Sequence, residues 1–141
     1  MKILQPPGWA KPKGYSNGIA ARGTLISVAG QIGWTPECKF EHHDFAGQAE
    51  QALRNIVAVL AEAGARPEHI VRMTWYVTDK QQYLSAGRQL GQAYRQLMQG
   101  ADGKPHFPAM TAVEVNALIE DEALVEIEVT AVLPDDPREA Q

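Results

Sequence analysis

The side chains best suited to catalysis are carboxylates in alternating stretches near the end of the chain. Between Leu124 and Val132, Glu126 and Glu128 fall on one face and apolar residues fall on the other. A carboxylate in a partly desolvated cleft can position or activate a water molecule. The same carboxylate can instead pair with an arginine or lysine across an interface, and the sequence leaves both roles open.

These glutamates belong to a predicted sheet face of mixed character. That face combines residues too apolar for water with residues too charged for a core, namely Met110, Ala112, Glu114, Glu126 and Glu128. Such a face is typical of an oligomer interface with a site embedded in it. An ordinary solvated face with scattered apolar residues is the other interpretation, and the pattern alone does not choose between them.

Other candidate chemistry is sparse. His42 and His43 are adjacent, so on a strand their side chains would point to opposite faces and chelate a metal poorly together. Cys38 adds a third donor, but no further cysteine or histidine stands at zinc-finger spacing. The sequence also lacks a phosphate-binding loop, a G-x-S-x-G turn and a Ser/His/Asp signature. We therefore predict no metal site.

Length and composition suit one domain. The chain has 141 residues, of which 45% are hydrophobic and 21% charged, and its single cysteine excludes an intrachain disulfide. A net charge of −4 argues against broad electrostatic binding of nucleic acid. No apolar run approaches the ~20 residues of a membrane span, so we predict a cytoplasmic protein without a membrane partner. Residues 1–14 read as an irregular N-terminal arm, 15–133 as the domain and 134–141 as a flexible tail.

Periodicity predicts seven elements that would position these residues. Period-two alternation marks strands, and apolar steps of three and four mark helices. In chain order they are two short strands within Tyr15–Gln31, the second ending at Gly30, a helix over Phe45–Ala63, a strand over Ile70–Val77, a helix over Lys80–Met98, and strands over Ala109–Ala117 and Leu124–Val132. The order β-β-α-β-α-β-β predicts an α+β domain, with one mixed sheet covered on one face by two helices.

Both predicted helices carry local start signals. Asp44 stands where a cap of the first helix is expected, and Gly64 stands just beyond its end. Asp79 and Gln82 have the spacing of an N-cap and an N3 residue at the start of the second helix. The helices are therefore the best specified elements of the predicted fold.

Seven stretches match one family pattern in order along residues 14–132. They are Gly14-Tyr15-Ser16, Ser27-Val-Ala-Gly-Gln-Ile, Gln48-Ala-Glu-Gln-Ala-Leu-Arg-Asn-Ile, Ala63-Gly-Ala, Ile70-Val-Arg-Met-Thr-Trp-Tyr-Val-Thr-Asp, Phe107-Pro-Ala-Met-Thr-Ala-Val-Glu-Val and Val125-Glu-Ile-Glu. As an ordered set they resemble the RidA/YjgF family of reactive-intermediate deaminases, also labelled endoribonuclease L-PSP. The resemblance implies a chorismate-mutase-like fold and a homotrimer with clefts between subunits. It also implies hydrolysis of enamines and imines to ammonia and a keto acid, without a metal or organic cofactor.

The resemblance carries site residues with it. Tyr15 stands at the family's cleft tyrosine, and Glu126 stands at the glutamate of the final strand, where it becomes the candidate catalytic residue. The implied substrate-binding positions are Tyr15, Ala29, Gly30, Gln31, Met110, Thr111 and Ala112.

Three of these positions depart from the deaminase pattern. Ala29 replaces a serine, Ala112 replaces a cysteine, and Met110 stands where the deaminases carry an arginine. In those deaminases the arginine makes a bidentate pair with the substrate carboxylate. Because methionine can neither donate nor carry charge, the loss would cost about 2–4 kcal/mol of binding. The chain resembles branches lacking this arginine, and we expect poor activity on ordinary 2-imino acids.

Three functions remain open from the sequence. The first is a trimeric hydrolase of enamines, imines or related small carbonyl compounds, bound in the inter-subunit cleft with Glu126 acting on water. The second is a non-catalytic trimer that binds a metabolite as a sensor or accessory factor. The third is a ribonuclease, against which the acidic balance argues.

Overall fold

Alternating strands and amphipathic helices follow one another through residues 1–135, which the computed structural model describes. The elements are β1 (Lys2–Leu4), β2 (Gly18–Ala20), β3 (Thr24–Ile32), α1 (Phe45–Glu62), β4 (Ile70–Val77), α2 (Lys80–Ser85), α3 (Gly87–Leu97), β5 (Ala109–Glu114) and β6 (Val125–Leu133). A short 3-10 turn, Pro67–His69, leads into β4. The predicted tail lies outside the described residues from position 136 onward.

Four strands form one mixed sheet in the order β3-β6-β4-β5. β6 runs antiparallel to both β3 and β4, whereas β4 and β5 are parallel. Parallel strands need a long crossover, which α2 and α3 provide. β1 and β2 form a separate antiparallel pair. The predicted α+β class, with a mixed sheet and helices, is confirmed.

The helices bury one face of this sheet. Leu53 and Ile56 of α1 are almost fully buried together with Met73 of β4 and Ile127 of β6. The predicted alternation of β6 is confirmed, because every second residue from Val125 is buried and the residues between them are partly exposed. We call the opposite side of the sheet, away from the helices, the open face. It includes Leu25, Arg72, Thr74, Tyr76, Thr111, Val113, Glu126 and Glu128.

The first helix follows its sequence signals closely. The Asp44 side chain accepts a hydrogen bond from the Gly47 N–H at 3.0 Å and so caps the helix. Gly64, just past the last turn, has a φ of +72°, a conformation that glycine adopts without steric cost. The prediction of this helix is confirmed to within one residue at its C-terminal end.

Four element boundaries differ from the predictions. The arm contains β1, because it finds a partner in β2. β3 continues beyond Gly30 to Ile32, since a bulge lets it stay paired with β6. The second helix is interrupted at Ala86, immediately before a glycine with low helix propensity. β5 ends at Glu114, where the paired part of β4 also ends.

The prediction of one mixed face is wrong in its membership. Met110 pairs with Met73 and Ala112 pairs with Trp75, and both partners are buried beneath the helices. The helix-covered face therefore carries Met110, Ala112 and Glu114, whereas the open face carries Glu126 and Glu128. Alternation within one strand does not reveal its phase relative to a neighbouring strand, because only the pairing register sets that phase.

Candidate functional site

A bulge in β3, an edge strand of the sheet, carries three of the predicted site residues and lies against β6. The pairing with β6 shifts between Val28 and Gln31, so Ala29 and Gly30 together oppose one residue of β6, Glu128. Such a bulge bends the strand, interrupts the regular ladder and is common beside functional sites. The backbone around Gly30 is therefore less regularly paired than that of an ordinary strand.

Gly30 makes room for the candidate catalytic carboxylate. A Cβ atom at this position would collide with Oε2 of Glu126. Glu126 is partly exposed, and the ion pairs found within residues 1–135 do not involve it. Its carboxylate is therefore accessible to water and takes part in no ion pair within residues 1–135.

The neighbouring glutamate is engaged differently. Tyr76 donates a hydrogen bond from its hydroxyl to Oε1 of Glu128 at 2.6 Å. That hydrogen bond, with desolvation and the nearby carboxylates adding to it, raises the pKa of Tyr76 above its usual value. Arg72 donates to Oγ1 of Thr111 at 3.3 Å and so holds that predicted site residue on the open face. Of the two open-face glutamates, Glu128 is hydrogen-bonded within the chain.

A cavity of about 450 Å³ lies on the other side of the sheet, against α2 and α3. We call it the helix-side cavity; its walls include Tyr15, Trp75, Tyr83, Tyr94, Phe107 and Met110. This volume falls within the usual range for small-molecule sites. Two predicted site residues, Tyr15 and Met110, therefore face the same space.

Backbone pairing holds this cavity together. Ser16 donates its N–H to the carbonyl of Pro108 at 2.9 Å and its hydroxyl to the carbonyl of Phe107, which fixes the neighbouring Tyr15 beside β5. Tyr94 stacks on Phe107, with ring centroids 5.5 Å apart, and donates its hydroxyl to the His106 carbonyl at 2.8 Å. Burial raises the pKa of Tyr94, so its hydroxyl stays protonated as a donor.

The predicted site residues thus form two groups within one chain. Ala29, Gly30, Gln31, Thr111 and Glu126 lie around the bulge and on the open face, whereas Tyr15 and Met110 line the helix-side cavity. Ala112 is exposed on edge strand β5. Two strand spacings, about 10 Å, and the thickness of the sheet separate Glu126 from Met110. A small ligand held by one chain cannot contact both.

Several cavity residues were not singled out from the sequence as site residues. Tyr83, Tyr94 and Phe107 read as ordinary apolar positions of a helix and a strand end. The sequence did contain one sign of the cavity, the glycines Gly87 and Gly91. Two glycines one turn apart inside a predicted helix need a packing or functional reason.

Metal and membrane signals are also absent from the described part of the chain. Residues 1–135 contain no group of three or more His, Cys, Asp or Glu side chains placed to hold a metal ion. No helix in the same region is long and apolar enough to cross a bilayer.

Comparisons with known proteins give one consistent family. Residues 9–133 match the family described as endoribonuclease L-PSP. A RutC family protein of Synechocystis sp. is 36% identical over 137 residues, which cover 95% of this chain and 98% of that protein. The Escherichia coli protein named 2-iminobutanoate/2-iminopropanoate deaminase is 32% identical over 110 residues, 78% of this chain and 80% of the relative.

Solved structures agree with the sequence matches. The Rid family protein YyfB of Yersinia pestis has a TM-score of 0.77 at 28% identity, covering 94% of this chain and 98% of that one. Escherichia coli TdcF, solved with bound serine, has a TM-score of 0.65 at 28% identity, covering 94% and 99%. Because the match extends over most of the chain and its relatives, the chain belongs to the endoribonuclease L-PSP family, the RidA/YjgF family that its ordered motifs indicate.

Proposed function

We propose that this chain is a homotrimeric hydrolase of enamines, imines or related small carbonyl compounds, with clefts between subunits. The observation that carries the proposal is the Glu126 carboxylate, accessible on the open face beside the glycine of the bulge and outside the ion pairs of residues 1–135. The relative named as a 2-iminobutanoate/2-iminopropanoate deaminase supports this reaction class.

The proposed chemistry needs one carboxylate and one water molecule. Glu126 accepts a proton from water as its oxygen attacks the carbon of the C=N bond, and the electron pair moves to nitrogen. The carboxylic acid then returns that proton to nitrogen and gives a carbinolamine. The Glu126 carboxylate next carries the hydroxyl proton of this intermediate to nitrogen, so that the C–N bond breaks, ammonia leaves, and a C=O bond forms. Backbone groups around Gly30 and Ala112 would stabilise the charge that develops, and no metal or organic cofactor is required.

The separation of the site residues supports a site shared between subunits, as in the proposed trimer. Tyr15 and Met110 face the helix-side cavity, and Glu126 faces the opposite side of the sheet. We infer that a neighbouring subunit brings its Glu126 group to the Tyr15 group of the first, so that each cleft holds a small-molecule ligand between two copies. Exposed apolar residues on the open face, including Leu25 and Val113, favour such association.

Substrate preference follows from the side chain at position 110. Met110 lines the cavity among aromatic and aliphatic residues and provides no cation for a carboxylate. We therefore expect ordinary 2-imino acids to be poor substrates. Compounds whose binding does not depend on a carboxylate at this position should be better ones.

The test is ammonia release from freshly generated imines with and without a carboxylate. Glu126→Gln should lower turnover about a hundredfold or more, because glutamine cannot accept the proton from water. Glu128→Gln is the matched control: it makes the same change two residues away on the same face and should retain most of the turnover.

Each other outcome assigns a different function. No turnover by an intact trimer on any imine would reject the hydrolase and favour a trimer that binds a metabolite without reaction. Fast turnover of ordinary 2-imino acids would contradict the argument from Met110. RNA cleavage by the purified protein, with binding that falls steeply as salt rises, would indicate the ribonuclease instead.

A further inference from the structure

The helix-side cavity is more aromatic than hydrolysis of a small imine requires. Five aromatic rings line its 450 Å³, those of Tyr15, Trp75, Tyr83, Tyr94 and Phe107. Trp75 and Tyr83 meet edge to face with ring centroids 5.9 Å apart, so the rings form a continuous wall. Such a wall suits a flat apolar group far better than a two- or three-carbon chain.

The indole of Trp75 contributes ring surface to this wall. Only 3% of the residue is exposed, and its Nε1 is enclosed and has no hydrogen-bond partner within residues 1–135. The single donor of the ring is therefore not offered to the cavity, and Trp75 would contact a ligand through its apolar ring.

The mouth of the cavity is cationic. Lys13 and Arg95 both line it, both are exposed, and the ion pairs within residues 1–135 involve neither of them. The Arg95 guanidinium lies close to Gly91, with Nη1 3.2 Å from the place a Cβ would occupy. This arginine therefore lies along the cavity wall, and a carboxylate at the mouth would meet two positive charges.

Two helix glycines keep the wall of α3 open. Gly87 and Gly91 are one turn apart and both line the cavity. A Cβ at Gly87 would meet nothing within 4 Å, so close packing does not require a glycine there. Gly91 lies in the interior of α3, where glycine weakens a helix, so a larger residue would be expected there unless the space itself is used.

We propose that the helix-side cavity binds an aromatic carboxylate, with the ring between Trp75 and the α3 glycines and the carboxylate at Arg95 and Lys13. This inference deepens the proposed function, because Tyr15 and Met110, two of its site residues, line the same cavity. Turnover of such a ligand rests on the proposed function, whereas its binding does not. The substrates would then be aromatic imines or carbonyl compounds. Their anionic group would be bound by Arg95 of α3 and not by the residue at position 110.

Calorimetric titration of the full-length protein with naphthalene-2-carboxylate tests the proposal. The neutral naphthalene-2-carboxamide should bind about three- to tenfold more weakly, and acetate should not bind measurably. Arg95→Gln should weaken carboxylate binding by a similar factor and leave carboxamide binding unchanged. Arg88→Gln is the matched control, because it removes an exposed charge of the same helix that does not line the cavity.

Two further variants probe the ring site. Gly87→Leu should abolish binding by filling the space from an open position, while a thermal melt shows the fold retained. Trp75→Phe replaces the indole with a smaller ring, and it should weaken binding about fivefold by removing part of the apolar wall. Absence of wild-type binding, equal affinity for carboxylate and carboxamide, or undiminished binding by Gly87→Leu would each overturn the proposal.

The same titration separates this inference from the hydrolase. The titration and the ammonia assay are run on the same wild-type protein, so that binding of the probe and turnover of imines are scored independently. Binding without turnover of any imine would reject the hydrolase and support the ligand class. Turnover of small imines without binding of naphthalene-2-carboxylate would support the hydrolase and reject the aromatic carboxylate as the ligand class.

Discussion

The side chain at position 110 determines whether a ligand carboxylate lying beside β5 in the helix-side cavity meets a positive charge there. Met110 is partly buried against the core, and it provides polarisable apolar surface where an arginine would provide a fork of N–H donors. The cavity around it has room for a longer side chain, and Tyr15 remains beside it as a hydroxyl donor. Position 110 can therefore be changed without rebuilding the wall.

Met110→Arg should make this chain a better deaminase of ordinary 2-imino acids. A bidentate arginine–carboxylate pair strengthens binding, so we expect kcat/KM for 2-iminopropanoate to rise about tenfold or more. The measurement is the initial rate of ammonia release over a range of imine concentrations. Met110→Leu is the control, since it conserves volume without adding charge. A rise in both variants would show that packing, and not the carboxylate pair, limits the wild type.

Among the secondary-structure elements, α1 fixes the start of the strand that carries Glu126. Gln48 is 1% exposed and donates from Nε2 to the carbonyls of His42 and Glu122, at 3.2 and 3.0 Å. Its Oε1 accepts the N–H of Leu124 at 2.8 Å, immediately before β6 begins. One buried side chain thus joins α1 to the loop that precedes it and to the loop that leads into β6.

Gln48→Leu should lower the free energy of unfolding by about 2–4 kcal/mol, because it removes three hydrogen bonds and leaves buried backbone groups unpaired. Urea denaturation followed by circular dichroism measures the loss. Gln51→Leu makes the same change one turn along α1, where the amide bonds only to Asn55 within the helix, and it should cost under about 1 kcal/mol. Equal losses in the two variants would refute the bridging role of Gln48.

Elements with strong local signals were predictable from the sequence. Asp44 and Gly64 mark the ends of α1, and the bounds of β4 were predicted without error, because caps and a buried alternating run are local properties. The pairing of β1 depends on a contact with another segment, and the interruption at Ala86 lies beside Gly87 within an otherwise continuous apolar period, so periodicity revealed neither. The α+β class survives such errors, since it depends on element order and type.

The candidate site was only partly predictable, because its geometry depends on register. Motif order identified Tyr15, Met110 and Glu126 as candidates, but the phase of β5 determines that Met110 faces the helices while Thr111 faces outward. For Trp75 the sequence left two positions open, a cleft wall and the core, with alternation along β4 favouring the core. The structure combines them, because the ring is 3% exposed and also lines the helix-side cavity.

For the molecule as a whole, the central feature is a sheet with one face covered by helices and one face uncovered. The open face carries apolar residues in solvent, with Leu25 67% and Val113 41% exposed, beside the carboxylates of Glu126 and Glu128. A four-stranded sheet in a chain of 141 residues usually buries such apolar surface against another layer. Residues 1–135 provide no second layer against the open face, so a second copy of the chain would supply it.

Val113→Glu therefore tests the assembly and the site together. A new charge at the centre of an association surface opposes assembly, so we expect light scattering to change from three times the 15.4 kDa chain mass to the mass of one chain. Imine turnover should fall with it, because Glu126 then loses the Tyr15 group of its neighbour. Binding of naphthalene-2-carboxylate should persist, since one chain forms the whole helix-side cavity.

Val59→Glu is the matched control: Val59 is also 41% exposed but lies on α1, so mass and turnover should stay unchanged. Turnover by a monomeric Val113→Glu protein would show that one chain contains the complete site, and the division of its residues between two subunits would then be wrong.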